Sequence, residues 1–375
     1  MINNISLDDI RKIVKTHDTP LLVTSLDIVS ENYIKLKEAL HNNVELYYAM
    51  KPFPHERVVD KLYSIGSNFD VATTGEIKLL KKINVTPSRC IHTHPIKRDK
   101  DIKAALKFGI NQFVVDNISE IDKFIKYKKK VKLFLRISFR NSEASVDLSK
   151  KFGCTPDSAS TLIEYARNKG IHVNGLSFHV GSQCKSSKRH VEAIHKCNEI
   201  IAETIIKGFP EIKFLDIGGG FPAWYGEGDK ICINDFCKPI NEALSRIPTH
   251  IKIIAEPGRF IVASATISIS SIMGKAFRDG KFWYYLDDGV YGSYSDHIFD
   301  NVRNPISIIT NNNSTETHLS VLAGSTCDSI DVIREEILLP ELDIGDLIIG
   351  ETMGAYTWAT STNFNFFDRA KLIFI

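Results

Sequence analysis

The chain has 375 residues, 43% of them hydrophobic and 25% charged, with a formal net charge of +2. This is the balance of a soluble globular protein, long enough for a large core and two domains. It carries no basic footprint for nucleic acid, and no apolar run reaches the roughly 18 residues a membrane span needs.

The N-terminal stretch 1–20 is polar and charged and lacks the apolar core of a signal peptide. Seven cysteines occur, an odd number with no C-x-x-C pair. In a chain of this size that argues against a disulfide framework or a structural zinc and for a reduced, cytoplasmic setting.

The first strand expected is TPLLVTSL (19–26), followed by an amphipathic helix over 27–42. Short apolar runs then recur at 44–50, 68–72, 90–93, 112–116, 131–138, 173–179, 213–217 and 251–256. Helical patterns such as TGEIKLLKKI, PDSASTLIEYARNKG and NDFCKPINEALSRI separate them. Eight alternating units of this size fit a (β/α)8 barrel, with an open doubly wound sheet as the alternative. After residue 260 the helical period stops. Short β runs with Gly, Asp and Asn turns take over, including KFWYYLDDG, PISIIT, HLSVLAG, LDIGDLIIG and KLIFI. The expected architecture is therefore a barrel over 27–260 and a C-terminal β-rich domain over 261–375. Strand 19–26 is one too many for the barrel, so residues 1–26 are expected to join the β domain.

In a barrel of this type chemistry gathers at the C-terminal ends of the strands. Lys51 ends the first barrel strand, Asp70 and the TTGE turn with Glu76 the second, His92 and His94 the third, and Asp116 the fourth. Arg136 lies late in the fifth strand. His179 and Ser182 in FHVGSQ, Gly218–Gly219–Gly220, and Glu256, Gly258 and Arg259 in AEPGR follow at the last three. Each has a plain reading. Lys51 alone is a lysine snorkelling from a rim, His92 and His94 are solvated rim residues, His179 is a core histidine, and Arg259 is a surface ion pair. A His-x-His pair with no acidic or cysteine partner is no metal site. Together, however, a glycine turn with exposed N–H groups and an adjacent arginine suit a phosphate. A phosphate site beside a lysine amine points to pyridoxal phosphate, with Lys51 as the Schiff-base lysine and Glu256 facing the pyridine nitrogen.

The ordered segments YYAMK, NFDVATTGEI, LRI…KFG, FHVGSQ, LDIGGGFP, AEPGRF, DDGVYGSYSD, GSTCDSID and MGAYT resemble the fold-type III pyridoxal-phosphate amino-acid decarboxylases. The likeness runs from about residue 20 to 370 and is closest to eukaryotic-type ornithine decarboxylases and their lysine/ornithine and diaminopimelate relatives. The resemblance implies a barrel followed by a β domain. It implies that His179 stacks on the cofactor ring. It implies phosphate contacts from Ser182, Gly219, Gly220, Arg259 and Tyr356, with Gly258 in the same turn. Asp70, Glu76 and Arg136 match polar residues around the lysine and cofactor. The family builds its sites across a homodimer, which makes Cys327 the proton donor to Cα and Asp328 a substrate ligand, both from the partner subunit. Asp300 matches a second carboxylate for the substrate's distal amine, and Phe299 and Phe364 line that pocket.

Two carboxylates suit a substrate with a far ammonium group. The expected reaction is decarboxylation of L-ornithine or L-lysine to the diamine, in polyamine biosynthesis with putrescine as a product. Diaminopimelate decarboxylases usually carry glutamate where Asp328 stands, and arginine decarboxylases where Asp300 stands. Ser329 and Phe366 replace customary glycines, and Pro52 and Phe53 replace a small residue and asparagine. These departures keep open a conjugated substrate such as a siderophore precursor. An inactive, decarboxylase-like binding protein is disfavoured by retention of Lys51, His179, Glu256, Arg259, Cys327 and Asp328.

Overall fold

A computed structural model of the chain describes residues 5–41, 43–139, 150–300, 302–312 and 315–375. The chain divides into two compact units: Ser30–Pro222 with Ile231–Phe260, and Met1–Val29 with Ala223–Lys230 and Ile261–Ile375.

The first unit is a closed barrel of eight parallel strands. With β1 at Leu21–Thr24, the barrel strands are β2 (Val44–Ala49), β3 (Asn68–Val71), β4 (Cys90–His92), β5 (Gln112–Val115), β6 (Lys132–Ile137), β7 (Val173–Phe178), β8 (Phe214–Asp216) and β9 (Lys252–Ala255). They pair in sequence order, and β9 closes on β2 through Val44 opposite Ile253. All eight expected strands are present, so the doubly wound alternative is excluded. Their near-continuous burial, complete in β7, is what parallel strands covered on both faces require.

Local sequence sets the helices between them. Thr73 and Glu76 form a capping box at the start of Thr74–Lys82, Asn117 caps Ile118–Lys123, and Pro156 opens Pro156–Asn168. Tyr47, Ile91, Val114, Phe134 and Ile254 form one buried cluster, with Phe214 packed against it. The Phe134 and Phe214 rings lie 5.3 Å apart. Gly175 on β7 makes this packing possible: a Cβ there would sit 2.7 Å from the Phe134 ring and 3.0 Å from Phe214 Cβ.

The second unit holds a mixed eight-stranded sheet. Its later strands are β10 (Thr266–Arg278), β11 (Lys281–Leu286), β12 (Ile306–Ile309), β13 (His318–Ala323), β14 (Val332–Leu339), β15 (Leu347–Gly350) and β16 (Lys371–Phe374). The main path runs β12-β15-β10-β11-β13-β14. β1 joins it as expected, antiparallel to β10 and parallel to β16. The helix Leu7–His17 was not anticipated. Its signal was present in Ser6, whose hydroxyl accepts from Asp9 N–H as an N-cap, and in acidic residues in the first turn.

Gly175→Ala is expected to destabilise the protein by about 1–3 kcal/mol, because the fully buried Phe134 ring has nowhere to go. A urea melt reads this as a lower midpoint. A midpoint equal to the parent's would show that the barrel interior has slack.

Candidate active site

The backbone around Lys51 is tied to both neighbouring strand ends. Ala49 N–H donates to Pro257 O at 3.0 Å and Met50 N–H to Asp70 O at 3.3 Å. Gly258 lets the EPGR turn approach, since a Cβ there would lie 2.7 Å from Pro52 Cγ and 3.2 Å from Ala49 O. Lys51 itself is exposed. Its charge acts on four groups: it favours the ionised forms of Asp70, Glu76 and Glu256 and opposes protonation of His179.

Those groups are dominated by burial. It holds the Asp70 and Glu256 carboxyls well above the usual carboxylate range, and raises Glu76 less. Asp70 accepts a hydrogen bond from the Thr93 hydroxyl. Glu76 is spent on its helix: Oε2 accepts from Ala72 N–H at 2.6 Å and Thr73 N–H at 2.9 Å. Arg136 faces Glu256, Asp116, Asp216 and Asp70, and lies 5.5 Å from the Phe152 ring centre. Asp116 Oδ2 accepts from Gly153 N–H at 2.8 Å.

Burial, then the Lys51 and Arg136 charges, hold the His179 imidazole neutral. Its Nδ1 accepts from Gly181 N–H at 3.1 Å, which leaves the ring proton on Nε2. The glycine turn packs directly against it. A Cβ on Gly219 would lie 3.2 Å from His179 Nε2 and 2.7 Å from Glu256 O, and one on Gly218 would lie 2.2 Å from Phe178 O. Gly218 and Gly220 take the left-handed backbone, at φ +65° and +95°.

The turn's three carbonyls all point back into the protein. Gly218 O accepts from Glu256 N–H at 2.8 Å, Gly219 O meets His190 Nε2 at 2.9 Å, and Gly220 O accepts from Cys184 N–H at 3.1 Å. Among the described residues, the N–H groups of Gly219 and Gly220 have no protein acceptor. Arg259 opens the short helix Arg259–Val262, and its Nε donates to Ser182 Oγ at 3.3 Å. Two free N–H groups, a hydroxyl and a guanidinium are the donor set a phosphate takes. Glu256 Oε1 is buried without a donor, as an acceptor awaiting a ring N–H would be. The residues fit pyridoxal phosphate.

The remaining predicted residues belong to the β unit. Tyr291 brings two of them together. Its hydroxyl donates to Asp328 Oδ2 at 2.6 Å and its ring stacks on Phe364 at 4.4 Å. That bond lowers the Asp328 pKa and raises that of Tyr291, so the carboxylate is the ionised partner. Cys327 is exposed beside Asp328, and its N–H donates to Asn365 Oδ1 at 3.3 Å. Phe299 and Asp300 end the helix Asp296–Asp300, with Phe299 largely exposed. Tyr356 takes a positive φ of 58° in a separate turn, where its carbonyl accepts from Ser295 Oγ at 3.4 Å.

His92 departs from expectation. It is fully buried rather than on a solvated rim, 5.7 Å from the Phe113 ring, with neither ring nitrogen bonded. His94 is half-buried, its Nδ1 accepting from Ile96 N–H at 3.0 Å. Sequence reading also passed over Asp216, Tyr291 and Asp331. Asp331 is buried and accepts from Val290 N–H at 2.8 Å and from Thr326 N–H and Oγ at 2.9 and 2.7 Å. It thereby fastens the GSTCD loop to the DDGVYG turn. All three stood inside the quoted motifs, which was the available signal.

The fold and the strand-end site define a pyridoxal-phosphate enzyme built on a (β/α)8 barrel. The chain belongs to the pyridoxal-dependent decarboxylases: residues 26–263 match that family's pyridoxal binding domain. Its structure is similar to that of a lysine/ornithine decarboxylase from Vibrio vulnificus crystallised with cadaverine (TM-score 0.93, 49% identity, 99% of each chain). It is 34% identical to the lysine/ornithine decarboxylase of Selenomonas ruminantium over 98% of this chain and 93% of that one. It is also 36% identical to antizyme inhibitor 2 of Xenopus laevis, over 97% of this chain and 82% of that one. The protein is a pyridoxal-phosphate-dependent carboxy-lyase of the basic amino-acid decarboxylase family. Among the described residues no helix is long and apolar enough to cross a membrane.

Burial lowers the His92 pKa from 6.5 to about 3. The unfolded chain takes up this proton below pH 6.5, whereas the folded chain refuses it until about pH 3, so stability is complete above 6.5 and lost as pH falls. His92→Leu is expected to remove a loss of up to about 1.4 kcal/mol per pH unit in that window. Urea melts across it check this, and parallel curves for variant and parent would refute it.

Proposed function

We propose that the protein decarboxylates L-ornithine or L-lysine to the corresponding diamine, in polyamine synthesis, as a cytoplasmic homodimer whose active sites are shared between subunits. The observation that carries this reading is Asp328, an ionised carboxylate held by Tyr291 beside an exposed Cys327. A fixed anion one residue from a thiol suits a substrate with an ammonium group far from the reacting carbon.

Lys51 would hold the cofactor through its amine and Glu256 would face its ring nitrogen. His179 would lie against the ring, and Asp70 and Arg136 would set the local charge. Glu76 acts on the cofactor through the loop that it caps. Gly219, Gly220, Ser182, Arg259 and Tyr356 would take the phosphate, with Gly258 allowing the turn to close in. When bound, pyridoxal phosphate supplies an electron-accepting ring that makes loss of CO2 from Cα feasible. Cys327 returns the proton to Cα from its thiol. Asp328 and Asp300 bind the distal ammonium, and Phe364 and Phe299 pack along the methylene chain. The names of the related decarboxylases support this substrate class.

Purified, cofactor-loaded protein is expected to release CO2 from L-ornithine or L-lysine faster than from L-arginine or meso-diaminopimelate, and Lys51→Ala to release none. Silence on all four, with the lysine-bound cofactor absorbance intact, would redirect the search to conjugated amino acids. Mixing inactive Lys51→Ala with inactive Cys327→Ala is expected to restore about a quarter of parental activity through the one intact site of each mixed dimer. No recovery after subunit exchange would place both residues in one chain's site.

A further inference from the structure

A second buried carboxyl lies against Glu256. β8 and β9 pair with Asp216 opposite Ile254, and Glu256 follows Ile254 by two residues. This brings the two side chains to the same strand ends, within hydrogen-bonding reach of each other. Asp216 is fully buried, and its Oδ1 accepts from Gly218 N–H at 2.9 Å. Neither Asp216 Oδ2 nor Glu256 Oε1 has a donor. Two carboxylate oxygens repel at that range, so a proton belongs between them. The charged groups facing the pair are Asp70, Arg136 and, for Glu256, Lys51. The carboxyls around the pair outnumber the two cations, which leaves a proton to be kept.

We propose that Asp216 is a positioning residue for the cofactor: as a neutral acid it donates from Oδ2 to Glu256 and holds the ionised Glu256 carboxylate toward the ring nitrogen. This rests on the role given to Glu256 above. In the chain alone burial raises both carboxyls, Asp216 to about 7, so the pair keeps a proton. A cation at the ring nitrogen would favour the ionised form of Glu256, and the pair's proton would then sit on Asp216 Oδ2. No atom leaves the pair. Asp216 suits the task because Gly218 N–H fixes its other oxygen.

The test titrates cofactor-free protein with pyridoxal phosphate and reads the lysine-bound absorbance. Asp216→Ala removes the donor and is expected to weaken binding about tenfold or more, the worth of a hydrogen bond to a charged group. Asp216→Asn keeps a donor toward Glu256 and an acceptor for Gly218, and is expected to recover most of that loss. Equal affinity for Asp216→Ala and the parent would overturn the proposal, as would an Asn variant no better than Ala. Glu256→Gln binding as tightly as the parent would instead remove the Glu256 reading, and this proposal with it. If Asp216→Ala fails to fold by circular dichroism, infrared spectra decide. The loaded enzyme should show a protonated-carboxyl band that shifts with carbon-13 aspartate and is absent in Asp216→Asn. A band that answers only to labelled glutamate would refute it.

Discussion

The barrel closes because β7 leaves out a side chain. Gly175 stands where Phe134 must lie, and the Phe134 and Phe214 rings fill the interior that this opens. A closed ring of parallel strands then aims eight strand ends at one place. Lys51, Asp70, Arg136, His179, Asp216 and Glu256 meet there although they are scattered over some two hundred residues of chain. The chemistry therefore depends on a packing contact that has no polar atom in it.

What closure brings together is a charge problem. Three buried carboxyls share a small volume with Arg136 and the Lys51 amine, and burial disfavours every ionised form. Burial works against the ionised carboxyls, and the Arg136 and Lys51 charges work for them. His179 is kept neutral by the same burial and by the same cations. A neutral imidazole can lie flat against a ring without repelling a positive ring nitrogen.

The β unit solves a different problem, holding the GSTCD loop still while leaving Cys327 exposed. Asp331 does this from within. It occupies the space that side chains at Gly289 and Gly324 would fill, with its Oδ1 2.2 and 2.1 Å from their would-be Cβ atoms. Cys327 and Asp328 can then face outward on a fixed loop. Nearby, Asn365 and Phe366 take φ of 52° and 61°, a conformation that costs an L-residue about 1–2 kcal/mol. Phe366 is 97% exposed, so no packing compensates for it within this chain. This is the backbone a glycine would hold without strain.

Apolar periodicity alone carried the architecture: eight barrel strands, the change of pattern after residue 260 and the spare strand 19–26 were all legible, because burial on a strand or helix face is written in local spacing. The motif residues marked the strand ends for the same reason. Other assignments depended on partners distant in the chain. Glu76 was expected near the cofactor, and its capping bonds to Ala72 and Thr73 came only with the fold; His92 looked like a rim residue and is enclosed beside Phe113. Asp216 and Asp331 stood inside motifs, but an aspartate in sequence carries no record of which oxygen will be buried against which donor. Those meanings come from strand register and chain crossings, and only the folded structure decides them, because the protonation and bonding of a buried polar group are set by neighbours that the sequence places far away.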